Sequence, residues 1–240
     1  MQIEGRNAIL EALKKHRSID ILYVRKGDMD GSLSKIIAKA KGSKIIIKTV
    51  DKAKLDQMSK SGHHQGVIAL ANDYRYYGLE EILGSFERGK GFFLILDEIE
   101  DPHNFGAIIR TAEAAGVDAI IIPKRRAVQV NQTVEKTSAG ATSHMKIVRV
   151  SNLVQTIELM KQNNIWIYSL DMSGEIYDKM DFSGNVALVV GNEGKGISRL
   201  VKEAGDFVVR IPMKGKIDSL NASVAASVLM YEVVRQRGLF

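Results

Sequence analysis

The stretch Val186-Ala-Leu-Val-Val-Gly-Asn-Glu-Gly-Lys-Gly196 joins five apolar residues directly to a loop with three glycines. A run of apolar residues is typical of a strand in a parallel sheet that is covered on both faces. Glycines directly after such a strand let the backbone adopt a positive φ and come close to a ligand. A plain turn between a strand and a helix would use the same glycines, but it would not need the carboxylate of Glu193.

The spacing of these glycines excludes two common phosphate-binding loops. The loop matches neither G-x-x-x-x-G-K-[ST] nor G-x-G-x-x-G, so a kinase, a GTPase or a conventional dinucleotide enzyme is disfavoured.

Residues 92–240 repeat a pattern of strand, loop and helix. Phe92–Asp97 is a predicted strand, a polar loop follows, and a helix is predicted from Phe105 to Ala115, ended by Gly116. Further strands are predicted at Ala119–Ile122, Ile165–Leu170 and Phe207–Ile211, and a last helix at Leu220–Arg235. This alternation predicts an α/β fold with a mostly parallel sheet, which binds ligands beyond the carboxyl ends of its strands.

A second polar segment, Asn104-Phe-Gly-Ala-Ile-Ile-Arg110, opens the helix after the first of these strands. If the helix begins near Phe105, Asn104 lies at its N-cap, a common structural role for asparagine and the alternative to a role in a site. Arg110 is a cation in a run of small and apolar residues, where it must pair or face a cleft. Glu113 offers an ordinary partner three residues further along the same helix.

A third segment, Ile211-Pro-Met-Lys-Gly-Lys-Ile-Asp-Ser-Leu-Asn221, ends a strand and opens the last helix. Asp218 or Ser219 is predicted to cap that helix. The free amides of a first helical turn also suit an anionic group of a ligand, and Ser219 and Asn221 add short polar side chains.

The first third of the chain differs in charge from the rest. Residues 1–72 hold 14 Lys and Arg against 7 Asp and Glu, a net charge of +7, whereas residues 73–240 carry −1. A basic α/β unit over 1–72 is typical of a polyanion-binding module, although a solvated lysine-rich surface would have the same composition. Residues 73–91, with three tyrosines, are predicted to be a linker that contains a short helix.

Composition also limits the chemistry. The chain has no cysteine, which excludes disulfides and thiolate–metal sites, and no metal-binding motif is present, so no metal is expected. His63 and His64 are interpreted as surface or RNA-facing residues. The N-terminus lacks an apolar signal segment and the apolar runs are too short to span a membrane, which predicts a cytoplasmic protein with no membrane contact.

In order and spacing, the three polar segments resemble the signature motifs of the SpoU/TrmH family of RNA 2′-O-methyltransferases. Thr137-Ser-Ala-Gly-Ala-Thr142 also looks like this family, and the resemblance covers about residues 92–240. Residues 1–72 look like the L30e-like domain of the subgroup that methylates large-subunit ribosomal RNA. The resemblance implies a SPOUT-type α/β knot domain, with a trefoil knot near its C-terminal end, behind a small L30e-like α/β domain.

The resemblance further implies methyl transfer from S-adenosylmethionine, without a metal, to a ribose 2′-hydroxyl, most specifically of a guanosine in 23S ribosomal RNA. It implies a homodimer through the C-terminal domain. Two alternatives stay open: a transfer RNA methyltransferase of the same family, and a non-catalytic L30e-like RNA-binding protein.

The same resemblance assigns roles to particular positions. Five are implied as catalytic: Arg110, Asn104, Glu193, Ser219 and Asn221. Six are implied as cofactor-binding: Gly191, Ile211, Leu220, Thr137, Gly140 and Met213. A guanidinium has a pKa above about 12 and rarely gives up its proton, so binding the adjacent phosphate and stabilising alkoxide charge is the physically easier role for Arg110.

Overall fold

The computed structural model describes residues 2–14, 19–27, 31–43, 45–71, 74–217 and 219–238. The chain divides into two compact units, residues 1–75 and 76–240. No helix in the described part of the chain is long and apolar enough to cross a membrane.

The first unit is a four-stranded sheet with helices. Its elements are β1 Gln2–Glu4, α1 Arg6–Lys14, β2 Ile19–Arg25, α2 Gly31–Gly42, β3 Ile46–Val50, α3 Lys52–Met58 and β4 Val67–Ala71. The strand order is β1-β4-β2-β3, in which β2 and β3 are parallel and β4 is antiparallel to both β1 and β2. The α/β pattern predicted for this region is therefore confirmed.

Apolar periodicity explains the packing of this unit. Ile9 and Leu13 of α1 and Leu33 and Ile36 of α2 are buried against Leu22 of β2 in one cluster. Residues three or four apart on a helix lie on the same face, so each helix turns one apolar stripe toward the sheet.

The carboxylate of Glu4 fastens the loop that precedes β4. It accepts hydrogen bonds from the Ser59 hydroxyl at 2.6 Å and the Lys60 amide at 2.7 Å, and also from the Ser61 hydroxyl and amide. Burial raises the pKa of Glu4, but the hydrogen bonds from Ser59, Ser61 and Lys60 outweigh it and lower the pKa from 4.5 to about 2.

The second unit contains a six-stranded sheet. Its elements are α4 Leu79–Leu83, β5 Phe92–Leu96, α5 Pro102–Ala114, β6 Ala119–Pro123, α6 Gln132–Thr137, β7 Ile147–Val150, α7 Leu153–Gln162, β8 Trp166–Ile176, β9 Val186–Val190, α8 Arg199–Ala204, β10 Phe207–Arg210 and α9 Ala222–Gln236. The strand order is β10-β8-β9-β5-β6-β7, and each of these neighbouring pairs is parallel. The predicted parallel α/β sheet is confirmed.

The two central strands are buried along their whole length. Every residue of β5 and of β9 is buried, as expected for parallel strands with both faces covered. On one face, Phe93 and Ile95 pack with Ile157 of α7 and Val201 of α8. Helices α5 and α9 pack against each other, and α9 contacts β9.

Part of the stretch expected as a linker packs on the second unit. The Tyr77 amide donates to the carbonyl of Ile147 at 2.9 Å, and Ile82 of α4 is buried in the core cluster of this unit. The Tyr76 hydroxyl accepts from the Val130 amide at 2.9 Å. Ile82, Tyr76 and Tyr77 therefore attach this part of the expected linker to the second unit.

The Glu4 contacts lead to a pH-dependent prediction. At neutral pH we expect Glu4→Gln to lower the free energy of unfolding, because the substitution removes an ionised acceptor of several hydrogen bonds. We expect a loss of only about 1 kcal/mol, because solvent around this carboxylate weakens its interactions. The folded-state pKa of about 2 lies below the ordinary 4.5, so the stabilisation is present above pH 4.5 and is lost as the pH falls toward 2. Urea unfolding of both proteins over this range should give curves that converge in acid, and a constant difference would contradict the assignment.

Candidate active site

The loop after β9 closes on itself. The Asn192 backbone amide donates to the Gly196 carbonyl at 3.1 Å, and the Gly196 amide donates to the Asn192 carbonyl at 2.8 Å. The Asn192 side chain accepts from the amides of Gly194 and Lys195. A Cβ on Gly191 would lie 2.2 Å from the Gly196 carbonyl carbon and 2.3 Å from the Ile197 nitrogen. Gly191 is therefore required by the close approach of the two ends of the loop.

Residues after β5 hold this loop at both ends. The Asn192 side-chain amide donates to the Glu98 carbonyl at 3.1 Å, and the Ser198 amide donates to the carboxylate of buried Asp97 at 2.7 Å. Since β5 and β9 are parallel neighbours, their carboxyl ends place these groups side by side.

The carboxylate of Glu193 joins three segments that are distant in sequence. It accepts from the Asn104 side-chain amide at 3.0 Å, from the Asn221 side-chain amide, and from the Ala222 backbone amide at 3.1 Å. Asn221 also donates to the Asn104 side-chain oxygen at 2.9 Å. We call Asn104, Glu193 and Asn221 the polar junction; it gives Glu193 a role that a plain turn would not.

The predicted N-cap role of Asn104 is wrong. Helix α5 begins at Pro102, and Asp101 caps it by accepting from the amides of His103 and Asn104. Proline is favoured in the first helical turn because it has no amide to satisfy. With Asp101 as the cap, the Asn104 side chain is available for Glu193.

The predicted cap of the last helix is also different. Asn221 caps α9 by accepting from the amides of Ser223 and Val224, so the helix begins at Ala222 rather than Leu220. Ser219 precedes the cap, and Asp218 lies outside the described residues. The oxygen of Asn221 serves the helix while its amide group serves Glu193, so one side chain fixes both elements.

A cavity of about 320 Å³ opens beside the polar junction. Its walls come from the glycine loop, the segment before α9, the first turns of α9 and the far half of β8. Six of the predicted site residues line it: Gly191, Glu193, Ile211, Met213, Ser219 and Leu220.

The wall from β8 was missed by the sequence analysis. Strand β10 pairs with β8 through Ser169 and then resumes at Glu175, so the residues between them leave the ladder, and Leu170, Asp171 and Met172 line the cavity. The signal was the segment Asp171-Met-Ser-Gly174, in which two polar residues and a glycine interrupt the apolar pattern of the strand.

Asp171 is held as a carboxylate at this wall. The Ser173 hydroxyl donates to it at 2.5 Å and the Lys202 ammonium lies 3.2 Å away. The hydrogen bond from Ser173, followed by that from its amide and by Lys202, lowers the pKa of Asp171 despite its partial burial.

Thr137 and Gly140 lie apart from the cavity. The Thr137 hydroxyl donates to the Thr133 carbonyl at 2.8 Å, and a Cβ on Gly106 would lie 1.8 Å from that hydroxyl. Thr137 therefore packs α6 closely against α5. Gly140 has a φ of +89° and precedes a short 3-10 turn.

Arg110 lies six positions beyond Asn104 on α5, which is less than two full turns. Six positions along a helix correspond to about 9 Å and to a rotation of about 120°, and Arg110 does not line the cavity. Its side chain is exposed, and within the described residues it forms no hydrogen bond or ion pair, including none with Glu113.

Two family models match this chain. Residues 91–231 match the SpoU rRNA Methylase family, and residues 2–77 match the model described as RNA 2′-O ribose methyltransferase substrate binding. Together the two matches account for both units.

The chain is similar to curated bacterial proteins over nearly its full length. YacO of Bacillus subtilis, provisionally described as a TrmH family tRNA/rRNA methyltransferase, is 48% identical over 236 residues, which cover 97% of this chain and 94% of YacO.

Solved structures have the same fold. The SpoU methyltransferase AviRb from Streptomyces viridochromogenes, in complex with AdoMet, aligns with a TM-score of 0.64 at 23% identity, over 100% of this chain and 91% of AviRb. A crystal structure of an RNA 2′-O ribose methyltransferase aligns with a TM-score of 0.59 at 28% identity, over 99% of this chain and 88% of the other.

The polar junction leads to a stability prediction. We expect Glu193→Ala to lower the free energy of unfolding by about 1 kcal/mol, because the Ala222 amide and two side-chain amides lose their shared acceptor. Lys195→Ala in the same loop is the matched control and should change it by less than about 0.5 kcal/mol, since this exposed side chain has no partner among the described residues. Urea unfolding measures both, and equal values for the two variants would show that the junction is not structural.

Proposed function

This chain belongs to the SpoU rRNA methylase family and is an RNA 2′-O-ribose methyltransferase that uses S-adenosylmethionine, and on that premise we propose that methyl transfer takes place at the cavity beside the polar junction. The observation that carries this placement is the convergence of Asn104, Glu193 and Asn221, from three separate motif segments, in one hydrogen-bonded junction whose Glu193 lines the cavity. The segments that carry these three residues resemble the family's motifs, and hydrogen bonds between the side chains hold the segments together.

The residues around the cavity fit this cofactor. Small residues leave room, since Gly191, Gly194, Ala222 and Ala225 all line the space, and Leu170, Met172, Ile211, Met213 and Leu220 supply apolar walls. The carboxyl groups of Asp171 and Glu193 suit a ligand that carries positive charge. When bound, the cofactor supplies a methyl group on a sulfonium that needs no further activation.

The protein's part in the reaction is alignment and charge stabilisation. We assign Ser219 and the polar junction to holding the ribose so that its 2′-hydroxyl points at the cavity. Arg110 lies outside the cavity lining, and we assign it to the phosphate beside that ribose and, once RNA is bound, to the negative charge that develops on the 2′-oxygen. Arg110 is exposed and free of protein partners in the described chain, as a residue awaiting RNA would be.

We propose a guanosine of 23S ribosomal RNA as the substrate. The support is the first unit, which matches a substrate-binding family model and whose net charge is more positive than that of the rest of the chain. This unit also resembles the L30e-like domain of the subgroup that modifies this RNA. A transfer RNA is the alternative substrate, because the description of YacO includes both.

The proposal includes a cytoplasmic homodimer through the knotted second unit. Helix α9 leaves Val224 and Tyr231, seven residues apart on one face, 47% and 43% exposed. A second copy over this face would bury them. Sedimentation of the purified chain at micromolar concentration measures the dimer, and a monomer at all concentrations would contradict it.

Mapping 2′-O-methylation in RNA from cells with and without this protein tests the substrate. We expect one guanosine of 23S ribosomal RNA to lose its methyl group in the deletion strain and to regain it with the wild-type gene. Loss from a transfer RNA instead would identify the alternative substrate. No difference in either RNA would contradict the proposed function.

Arg110→Ala tests the catalytic assignment. We expect the fold and the binding of S-adenosylmethionine to be kept, and the single-turnover rate of methyl transfer to fall by about 100- to 1000-fold, because an electrostatic contact to the transition state is lost. Glu113→Ala, which changes an exposed charge on the same helix, is the control and should react normally. A near-normal rate for Arg110→Ala would show that the assignment is wrong.

A further inference from the structure

We propose that a cleft in the first unit binds phosphates of the substrate RNA and that Arg25 and Lys52 contact them directly. This inference rests on the proposed function for its ligand, and it places the capture of RNA at particular side chains.

Strand direction brings cations from three elements to one edge of the sheet. Strands β2 and β3 are parallel, and β1 runs with β2 because both are antiparallel to β4. Arg6 follows β1, Arg25 ends β2 and Lys52 follows β3. All three therefore lie at the carboxyl edge, where α/β sheets place their ligands.

A cleft of about 660 Å³ lies at this edge, lined by these three cations together with His64, Gln65 and Gly66. Its volume lies within the range of about 300–1,000 Å³ that is usual for ligand sites.

Arg6 is committed to building the rim of the cleft. Its Nε donates to the Gln65 carbonyl at 3.0 Å and its Nη1 donates to the Ser32 hydroxyl at 2.7 Å. Its backbone amide donates to the Gln65 side-chain oxygen at 3.0 Å. Gln65 has a φ of +52°, a costly conformation for a residue with a side chain, and the two bonds from Arg6 to Gln65 hold it.

His64 forms a rigid part of the wall, which corrects its interpretation as a surface residue. It is only 7% exposed. Its Nδ1 accepts from the Gly66 amide at 3.0 Å and its Nε2 lies 2.8 Å from a carboxylate oxygen of Asp56. The acidic group at this cleft is therefore already engaged by the histidine.

Arg25 and Lys52 are the cations left for a ligand. Both are exposed, and among the described residues neither side chain has a hydrogen bond or an ion pair. A guanidinium matches phosphate oxygens with two parallel hydrogen bonds and an ammonium binds them as a point charge. Two unpartnered cations on a braced rim, within a segment of net charge +7, suit successive phosphates of an RNA strand.

The test compares two double variants of the full chain. Arg25→Ala with Lys52→Ala removes the proposed contacts. Lys39→Ala with Lys41→Ala removes the same charge from exposed positions in the last turn of α2. Purified 23S ribosomal RNA is the probe, and its affinity is measured from about 50 to 400 mM salt.

We expect the cleft variant to bind at least about tenfold more weakly at low salt, and the slope of log affinity against log salt to fall by about 2, because one phosphate contact accounts for about one unit. The control should keep the wild-type slope. Arg25→Lys with Lys52→Arg, which keeps both charges, should restore most of the binding and shows that the cleft variant is folded. Equal loss in the cleft and control variants, or no loss in the cleft variant, would overturn the proposal.

Methyl transfer separates this inference from the proposed function. We expect the cleft variant to have a raised KM for RNA with kcat and the affinity for S-adenosylmethionine unchanged. A wild-type chain that binds the RNA through this cleft but transfers no methyl group would contradict the proposed function and leave the cleft assignment standing.

Discussion

The carboxylate of Glu193 is the contact on which the candidate active site depends. It receives donors from α5, from the residue before α9 and from the first residue of α9. The Glu193 side chain therefore fixes the loop after β9 to the first turns of both α5 and α9. Because the glycine loop that carries Glu193 is closed by its own backbone bonds and tied to Asp97 and Glu98, the carboxylate is held in place before any ligand arrives.

Both units place their polar groups by the same topological rule. In the second unit, the carboxyl ends of β5 and β9 bring Asp97, Glu98 and the glycine loop together. In the first unit, the carboxyl ends of β2 and β3 bring Arg25 and Lys52 to one edge. Parallel strands end together, so residues far apart in sequence become neighbours without any special loop. The chemistry differs because one edge is lined with small and acidic residues and the other with cations.

Local sequence patterns predicted the structure correctly where each had one strong physical cause. The apolar run of β5 and the glycine at 116, which has a φ of +73° after α5, gave correct element types. Local patterns gave wrong predictions where two nearby residues could both take the same structural role. Asp101 and Asn104 both suit a helix cap, and so do Ser219 and Asn221; which one caps depends on what the other side chain meets in the folded chain. The tertiary partner of Asn104 is Glu193, 89 positions away, and a rule based on neighbouring residues cannot predict a contact over that separation.

Sequence by itself determined the parallel α/β architecture, the basic first third and the identity of the polar segments, because apolar periodicity, charge and glycine content are properties of short stretches. Only the tertiary structure decided which residues share a site. It brought Asn104, Glu193 and Asn221 into one hydrogen-bonded junction, added the wall from Leu170 to Met172, and separated Thr137 and Arg110 from the cavity. It also buried His64 against Asp56. The physical reason is that strand order and helix packing set distances between segments, and those distances are absent from any window of sequence.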